Sequence, residues 1–382
     1  MKKILFAFSF SIVILLTSYL VGNTSFPQPN EMAVLQKFNK VRSICGLTTD
    51  TVPSNLLFVN IGYDKKMVDV FDKYQMPLGK LPYIDKQKLL RFLHACQKSN
   101  NYKYIFLDIV FSKKMEEEYD TELFNTLASM KRIVLPMNPE ESSCDKRLAR
   151  KMAHAKYTVL WNNTSLSHYK FMDDGIASVP LRMYQDMDHK TITQYGPLFF
   201  SSGHICRNGI SLPLDIQLNL DDEDAYAEGK YVNMGIDLLE EEDVVSISDR
   251  IKGKIVVVGD FESDVHRTYA GILPGSVICM NAYYALKKNY HLVSGTFTFF
   301  LFILYAVISL LSVKRITVSR YVTNPWYRIL LSFFGISALL AFISTVTYIV
   351  FNIIYSVYIP VLLFTLLATF LNIKDTLKTA RK

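Results

Sequence analysis

The chain has 382 residues, of which 50% are apolar, and a formal net charge of +7. Its length allows one large domain or two small ones, and its mean hydropathy of +0.17 is high for a wholly soluble protein. Ten bases and one acid lie at the amino terminus, in residues 314–328 and in residues 374–382, so the middle of the chain has a net charge of about −2. Nucleic-acid binding, which needs a basic face on the folded domain, is therefore not expected.

The amino-terminal segment, residues 1–22, predicts a transmembrane anchor. It begins with Met1, Lys2 and Lys3 and is apolar from Ile4 to about Gly22, which is a length that crosses a hydrocarbon core of about 30 Å. A cleavable signal peptide is the alternative, but it would have a shorter apolar core and an Ala-x-Ala-like cleavage site. No clean site of that kind follows the segment, which favours an uncleaved anchor.

The middle of the chain alternates between predicted strands and helices. Residues 23–50 are expected to form a connector or a first helix. Apolar runs predict strands over residues 55–62, 104–111, 132–137, 157–162 and 254–260. Apolar residues at helical spacing, such as Leu89, Leu93 and Cys96, predict helices over residues 84–99, 119–130, 144–155 and 276–288.

This alternation sets the predicted fold class, α/β. Nearly continuous apolar strands between helices are typical of a parallel sheet that is covered on both faces. We therefore expect residues 23–294 to form a three-layer domain with a mostly parallel sheet, and the apolar segments to add transmembrane α-helices. Residues 179–247 are less regular, and we expect antiparallel strands and loops there, beginning with VPLRMY at residues 179–184.

Three further apolar segments follow this domain and are predicted to span a membrane: residues 295–313, 329–351 and 355–373, with a turn near residues 352–356. The loop of residues 314–328 carries four bases and no acid, and the tail of residues 374–382 carries four bases and one acid. Because basic loops stay on the cytoplasmic side, four crossings place both of them and the amino terminus in the cytoplasm. The domain of residues 23–294 is then extracytoplasmic.

Ionisable side chains crowd the stretch GKIVVVGDFESDVHRTYAG, residues 253–271, directly after a predicted strand. Ligands of doubly wound sheets bind beyond the carboxyl ends of the strands. Two other acidic residues lie near the ends of the first two strands of the domain. The candidate ligand-binding residues are Asp64, Asp108, Asp260, Asp264, His266 and Arg267. Two interpretations are open: these side chains share one crevice, or they reflect the ordinary turn chemistry of Asp and Gly at strand ends.

Other kinds of chemistry have little support in the sequence. The P-loop spacing is absent, since five residues rather than four lie between Gly253 and Gly259, and Asp260, which would repel phosphate, follows the second glycine. No His-Glu-x-x-His, zinc-type Cys/His pair or Gly-x-Ser-x-Gly occurs. We therefore expect no cofactor, no metal site and no catalytic residues, although Asp260, Asp264 and His266 leave an extracytoplasmic hydrolase as an alternative.

All five cysteines lie in the middle segment: Cys45, Cys96, Cys144, Cys206 and Cys279. An extracytoplasmic location permits disulfides, but the number is odd and no Cys-x-x-Cys occurs. The sequence allows two alternatives: the cysteines are buried thiols, or at least one disulfide is present.

Several landmarks together resemble the type-two CHASE domain, a bacterial extracytoplasmic sensory module. The stretch IKGKIVVVGDFESDVHRTYAGILPGSVICMNAYYALKKNYHLV resembles its closing motif, in which a strand ending in glycine leads to a variable loop and a Pro-Gly opens a helix with Asn-Ala. DDGIASVPL, YIFLDIVFS and GKLPYIDKQKLLRFL resemble its earlier elements, in the same order across about residues 55–293. The chain departs from the family at Asn60, at Leu81-Pro82 and at Asp260, where Asp, Trp-Pro and Ala are usual.

The resemblance implies a sensor in a bacterial inner membrane, with several spans and its large domain in the periplasm, and it names no ligand. The expected partners are an unknown small molecule or envelope component, the lipid bilayer and no nucleic acid. Such domains often precede a catalytic output domain, whereas this sequence ends nine residues after its last predicted span. We therefore expect a separate signalling partner in the membrane or cytoplasm. A structural scaffold of an envelope complex is the alternative function.

Overall fold

The computed structural model of the protein describes residues 2–23, 36–37, 40–41, 44, 52–71, 74, 76–111, 119–137, 148–154, 165–166, 168–218, 229–239, 244–314, 324–351 and 357–380. The strand predicted at residues 157–162, the turn predicted at residues 352–356, Cys45 and Cys144 lie outside these ranges. So do most of the predicted connector and most of the predicted basic loop. Cys96, Cys206 and Cys279 are free, buried thiols.

A six-stranded parallel sheet forms the centre of the domain. Its strands, numbered with the others in chain order, are β1 (Leu56–Asn60), β4 (Tyr104–Leu107), β5 (Ile133–Met137), β6 (Met152–His154), β15 (Tyr231–Asn233) and β16 (Ile255–Gly259). They are arranged in the order β15-β1-β16-β4-β5-β6. All their pairings are parallel, so their carboxyl ends lie at one edge. The predicted α/β class is confirmed.

Two apolar cores lie on opposite faces of this sheet. Along β1, Leu56 and Phe58 belong to one core, while Leu57 and Val59 belong to the other. The alternation follows from the strand geometry, in which successive side chains point to opposite faces. Because both faces are buried, the strands are apolar at nearly every position, and this is why their runs stand out in the sequence.

Helices cover both faces. On one face lie α2 (Lys86–Ser99), α3 (Asp120–Ser129), the π-helical turn Met234–Leu239 and α5 (Val244–Ile251). On the other lie α4 (Val179–Asp188) and α6 (Gly275–Lys287). The Asp85 side chain accepts hydrogen bonds from the N–H groups of Gln87 and Lys88 and so caps α2.

The antiparallel strands expected within residues 179–247 are confirmed at Ile192–Tyr195, Leu198–Ser201 and His204–Cys206. Two other expectations are wrong. Residues 179–184 begin α4 and are neither strand nor loop; Pro180 lies in the first turn of that helix, where its missing N–H costs nothing. The helix predicted at residues 144–155 is, over its described part, a 3₁₀ turn (Ala149–Lys151) followed by β6, which pairs with Leu135 to Met137 of β5. Pairing with a neighbouring strand outweighs the helical spacing of the local sequence.

Smaller antiparallel elements surround the sheet. They are the hairpin β2 (Lys65–Phe71) with β3 (Pro77–Ile84), the pairs β8 (His168–Lys170) with β14 (Gly209–Ser211) and β9 (Met172–Asp173) with β10 (Ile176–Ala177), the sheet β11 (Ile192–Tyr195), β12 (Leu198–Ser201) and β13 (His204–Cys206), and the hairpin β17 (Val265–Thr268) with β18 (Gly271–Pro274), which β7 (Ser165–Leu166) joins in parallel.

Four apolar helices pack together around Ile14, Tyr305, Leu340 and Phe364. They are α1 (Lys2–Asn23), α7 (Gly295–Val313), α8 (Pro325–Phe351) and α9 (Tyr358–Ala380). Among the described residues, α1 and α7 are long and apolar enough to cross a membrane, and shorter apolar stretches lie at Phe333–Thr347 and Tyr358–Lys374. By length and composition alone this is weak support for membrane association, since core helices and signal sequences share these properties.

Helices α1 and α7 meet the α/β domain at one place, which we term the helix joint: Tyr19 and Asn23 of α1, Phe199, residues 205–208, and residues 290–293 before α7. The Tyr19 hydroxyl donates to the Cys206 carbonyl at 2.9 Å and accepts from the Phe199 N–H at 3.1 Å. The Asn208 N–H donates to Asn23 Oδ1 at 2.7 Å. On the other side, the Val293 N–H donates to Ile205 and the Arg207 N–H to His291.

Candidate functional site

The carboxyl ends of the central strands bring several polar groups to one edge of the sheet. Asn60 ends β1, Asn233 ends β15, Gly259 ends β16 and Asp108 follows β4. In the sheet, β4 lies on one side of β1 and β15 lies on the other. The direction in which the chain adds strands therefore reverses at β1, and the carboxyl end of β1 is part of this edge. Such a point is where open α/β sheets bind ligands. We term the residues Asn60, Asp108, Asp260, Asp264, His266 and Ser276 the carboxyl-edge site.

Asn60 holds the loops of this edge together. Its side chain is fully buried. Its amide donates to Asn233 Oδ1 at 3.1 Å and to a Glu262 carboxylate oxygen at 3.4 Å, and its carbonyl oxygen accepts from the Gly62 N–H at 2.9 Å. An amide can both donate and accept here, whereas a carboxylate could only accept. Asn60 therefore has a structural role in joining β1, β15 and the loop after β16.

Asp260 is bound by its own loop and by β2. It forms an ion pair with Lys65 at 2.5 Å, accepts from the N–H groups of Glu262 and Ser263, and accepts from the Ser263 hydroxyl. Burial opposes its ionisation, but the hydrogen bonds from Lys65 and Ser263 outweigh burial and hold the pKa of Asp260 below its usual value. Asp260 is therefore an ionised group that organises the loop.

Asp108 differs from Asp260 in its ionisation, because its pKa is raised rather than lowered. Its carboxyl is half-buried beside Gly259, and a Cβ placed on that glycine would lie 3.4 Å from both Asp108 Cβ and Ser276 Oγ. Burial raises the pKa of Asp108 to about 7; the Asp264 carboxylate raises it as well, and the His266 imidazole acts in the opposite direction. Asp108 thus exchanges its proton near neutral pH, which suits a group that responds to a bound cation or hydrogen-bond donor.

Asp264 and His266 lie next to Asp108 and form a pair at the surface. His266 Nε2 is 3.1 Å from Asp264 Oδ1. This hydrogen bond raises the pKa of His266, burial opposes the rise, and the charges of Asp264 and Asp108 add to it. The Asp264 carbonyl also accepts from the Gly275 N–H at the start of α6. The three groups therefore form one electrostatic unit at the beginning of that helix.

Asp64 lies at the same edge in a separate arrangement. It is buried, with 3% of its surface exposed, and its carboxylate accepts from Lys88 Nζ at 2.8 Å and from the Gly235 N–H at 2.8 Å. A Cβ on Gly235 would lie 2.1 Å from Asp64 Oδ1, so only glycine allows this approach. These contacts tie the turn between β1 and β2, α2 and the π-helical turn together.

Arg267 lies apart from these groups. It is exposed, and because it follows His266 in β17 its side chain points to the opposite face of that strand. The structure thus brings Asp108, Asp264 and His266 together, places Asp260 nearby with its own partners, and separates Asp64 and Arg267 from them.

Several residues of this edge were not among the sequence candidates. Two lysines pair with candidate carboxylates, Lys65 with Asp260 and Lys88 with Asp64. Ser276 lies beside Gly259. Lys65 directly follows Asp64 in the sequence and could have been chosen as a partner for a nearby acid. Ser276 follows the Pro274-Gly275 that opens α6, and its placement beside Asp108 depends on the neighbouring positions of β4 and β16 in the sheet.

The described residues do not form a group of three or more His, Cys, Asp or Glu side chains arranged to hold a metal ion. The carboxyl-edge site has partly accessible carboxylates and one imidazole beside the buried hydroxyl of Ser276, a chemistry that suits a cationic or hydrogen-bond-donating ligand. Compared with known protein families, curated proteins and solved structures, the chain matches none of them.

Proposed function

We propose that the protein is a membrane-anchored sensor that binds a small molecule or an envelope component at the carboxyl-edge site. In this proposal α1, α7, α8 and α9 cross a bacterial inner membrane and the α/β domain lies in the periplasm. The apolar helices support the spans, and the bases of residues 314–328 and 374–382 support the orientation, since basic loops remain in the cytoplasm. The sequence resemblance to the type-two CHASE domain supports the sensory role.

The observation that carries the proposal is the position of α6. It begins at Gly275 and Ser276, within the carboxyl-edge site, and ends at Lys287, close to the helix joint. Its 13 residues form a rod roughly 20 Å long. Eleven of these residues are buried, so the helix is fixed in the domain rather than free to bend. A displacement at the site would therefore be transmitted to residues 290–293 and into α7.

The helix joint offers a way to convert that displacement into a signal. The β12–β13 hairpin hydrogen-bonds α1 through Tyr19, and its last residues hydrogen-bond the segment that leads to α7. A shift of α6 would change the position of α7 relative to α1. A ligand can favour one of two such positions only through a difference in affinity. The output would then pass to a signalling partner in the membrane or cytoplasm.

Thermal unfolding of the full chain in a neutral detergent tests the sensor proposal. A library of amines, sugars, amino acids, metal ions and envelope fragments would be screened. A ligand at 100 times its dissociation constant adds about 2.7 kcal/mol of stability, which raises the unfolding midpoint by roughly 5 °C or more for a domain of this size. The shift should disappear in Asp108→Ala and remain in Arg267→Ala, the matched control at the same edge. A shift that persists in Asp108→Ala would place the ligand elsewhere, and a library without any shift would contradict the proposal.

A scaffold function is the second candidate, and one surface favours it. The β2–β3 hairpin exposes Met67, Met76, Leu78 and Leu81, with between 50% and 68% of each residue exposed. Flexible methionine side chains suit a protein contact, and an exposed apolar surface of this kind is typical of an interaction site. In this reading the hairpin binds another envelope protein and the carboxyl-edge site supports the fold.

Photo-crosslinking from the hairpin separates the two candidates. A crosslinking residue at Met67 or Leu81 should give one defined adduct in cells if the protein is a scaffold, and a residue at Ile272, which is 66% exposed on β18, should not. No adduct from the hairpin, together with a ligand-induced shift in the unfolding midpoint, would leave the sensor as the better description.

A further inference from the structure

A basic groove lies at the amino-terminal edge of the central sheet, opposite the carboxyl-edge site. It has a volume of about 600 Å³. Three bases each stand directly before or at the start of a strand: Lys103 before β4, Arg132 before β5 and Lys151 before β6. Three more basic side chains complete the lining. The bases of the groove are Lys103, Lys131, Arg132, Arg150, Lys151 and Arg182.

Asp186 also lines this groove, and its carboxylate already has partners. It accepts from the Tyr104 hydroxyl at 2.6 Å and pairs with Arg182 Nε at 3.2 Å. Arg132 is held over the Tyr102 ring, 4.7 Å from its centroid, while it donates to the carbonyl and side-chain oxygens of Asn100. Arg132 and Arg182 are therefore held in place before any ligand binds.

Three exposed cations of the groove have no carboxylate partner among the residues that the structure describes. Lys103, Lys131 and Arg150 are exposed, and within the described part of the chain no carboxylate pairs with any of them. Like charges at close range repel, whereas an anion between them would be attracted by several charges at once. The middle segment as a whole has a net charge of about −2, so the concentration of bases here is local and does not reflect the average composition of the domain.

The groove faces the same side of the domain as the helix joint. Helix α6 returns from the carboxyl-edge site to the amino-terminal edge, where the Tyr284 hydroxyl donates to Asn55 just before β1. Met187 and His189, at the end of α4, line the groove and lead into the β11–β12 hairpin, whose Phe199 N–H donates to Tyr19 of α1. If α1 and α7 span a membrane, the groove is on the membrane side of the domain.

We propose that this groove binds a phosphate-bearing anion. Guanidinium groups match phosphate oxygens with two parallel hydrogen bonds, and ammonium groups add point charges. The phosphate has two sources with the same chemistry: the headgroup of an anionic phospholipid or a soluble phosphate ester. The lipid source rests on the proposed membrane spans, whereas the soluble source is independent of them.

Calorimetric titration of the full chain in a neutral detergent tests this site, at fixed ionic strength, in two arms. One arm uses glycerol 1-phosphate and the other uses short-chain phosphatidylglycerol added to the micelles. The variant Lys103→Gln/Lys131→Gln removes two exposed bases of the groove, and Lys80→Gln/Lys287→Gln removes two exposed lysines elsewhere. We expect saturable binding that is about tenfold weaker or more in the groove variant and unchanged in the control.

The two arms identify the source. Saturation by phosphatidylglycerol alone assigns a lipid headgroup, and saturation by glycerol 1-phosphate assigns a soluble ester, which would stand even if the membrane spans were disproved. Unaltered unfolding midpoints show that both variants fold. Binding that does not saturate in either arm, or that weakens equally in the control variant, would overturn the proposal.

Discussion

The carboxyl group of Asp108 has a pKa of about 7, well above its ordinary value of 3.8, chiefly because of burial. Between these two values the folded protein holds a proton that the unfolded chain has lost. The stability that Asp108 contributes is therefore fully present below about pH 4 and is lost as the pH rises to about 7. Asn carries no charge at any pH, so Asp108→Asn removes this loss.

We expect Asp108→Asn to have nearly the stability of the original chain at pH 4 and to be more stable at pH 8. The gain should be on the order of 1–2 kcal/mol, since the remaining solvent contact of Asp108 screens part of the effect. Thermal unfolding of both chains at several pH values gives the difference. Burial lowers the pKa of His168 and of His291 to about 4, but this opposite dependence is common to both chains and cancels. A difference that does not grow with pH would contradict the assignment.

Gly235 is a second position where one added atom is expected to change the stability of the fold. In Gly235→Ala the added Cβ meets Asp64 Oδ1 at 2.1 Å and must displace either the carboxylate or the backbone. We expect the free energy of unfolding to fall by about 1–3 kcal/mol, the usual cost of overpacking. Gly335→Ala is the control, because nothing lies within 4 Å of its Cβ and alanine favours a helix. Equal stability of the two variants would disprove the tight approach.

At the scale of elements, α6 is tied to the segment of residues 212–218 by one side chain. Asn281 is buried; its oxygen accepts from the Ile216 N–H and its amide donates to the Ile216 carbonyl, both at 2.8 Å. Asn281→Ala would leave two buried backbone groups without partners. We expect a loss of about 2–4 kcal/mol in unfolding free energy, against no more than about 0.5 kcal/mol for Gln194→Ala at the surface. A small effect at Asn281 would mean that α6 is held mainly by apolar packing.

Elements with a clear apolar pattern could be predicted from the sequence. Elements whose conformation depends on contacts with neighbouring elements could not. Strands β1, β4 and β16 are apolar at nearly every position, and α2 has a clear apolar stripe, so local patterns suffice. Helix α4 begins with Val179-Pro180, which alone favours an extended chain, and β6 has helical spacing. Their structures depend on contacts with α6 and β5.

The candidate site shows the same limit. That Asp108 and Asp264 lie near strand ends follows from the sequence, and their convergence follows from β4 and β16 being neighbours. The partners of Asp64 do not follow, because they require β15 to pair beside β1 and the next turn to approach Asp64. The separation of Arg267 from His266 depends on β17 being a strand, which its short, polar sequence does not indicate.

At the scale of the whole molecule, the proposed orientation predicts which surfaces face the two sides of a membrane. Tyr63 lies at the carboxyl edge and is 61% exposed, and Lys314 follows α7. In sealed spheroplasts, with Cys45 and Cys144 replaced by Ser, an impermeant maleimide should label Tyr63→Cys and should label Lys314→Cys only after permeabilisation. The reverse pattern would invert the topology, and labelling of both positions in sealed cells would rule out a span at α7.

The central claim is that α6 couples the carboxyl-edge site to the relative position of α1 and α7. The most direct measurement is the distance between spin labels at Leu16→Cys and Leu311→Cys, two exposed positions on these helices, in the full chain in lipid nanodiscs at pH 8. We predict that Asp108→Asn, which removes a charge near the start of α6, shifts the distance distribution. Tyr19→Phe, which breaks the hydrogen bond from α1 to Cys206, should reduce that shift. Superimposable distributions for the original chain and Asp108→Asn would contradict the proposed coupling.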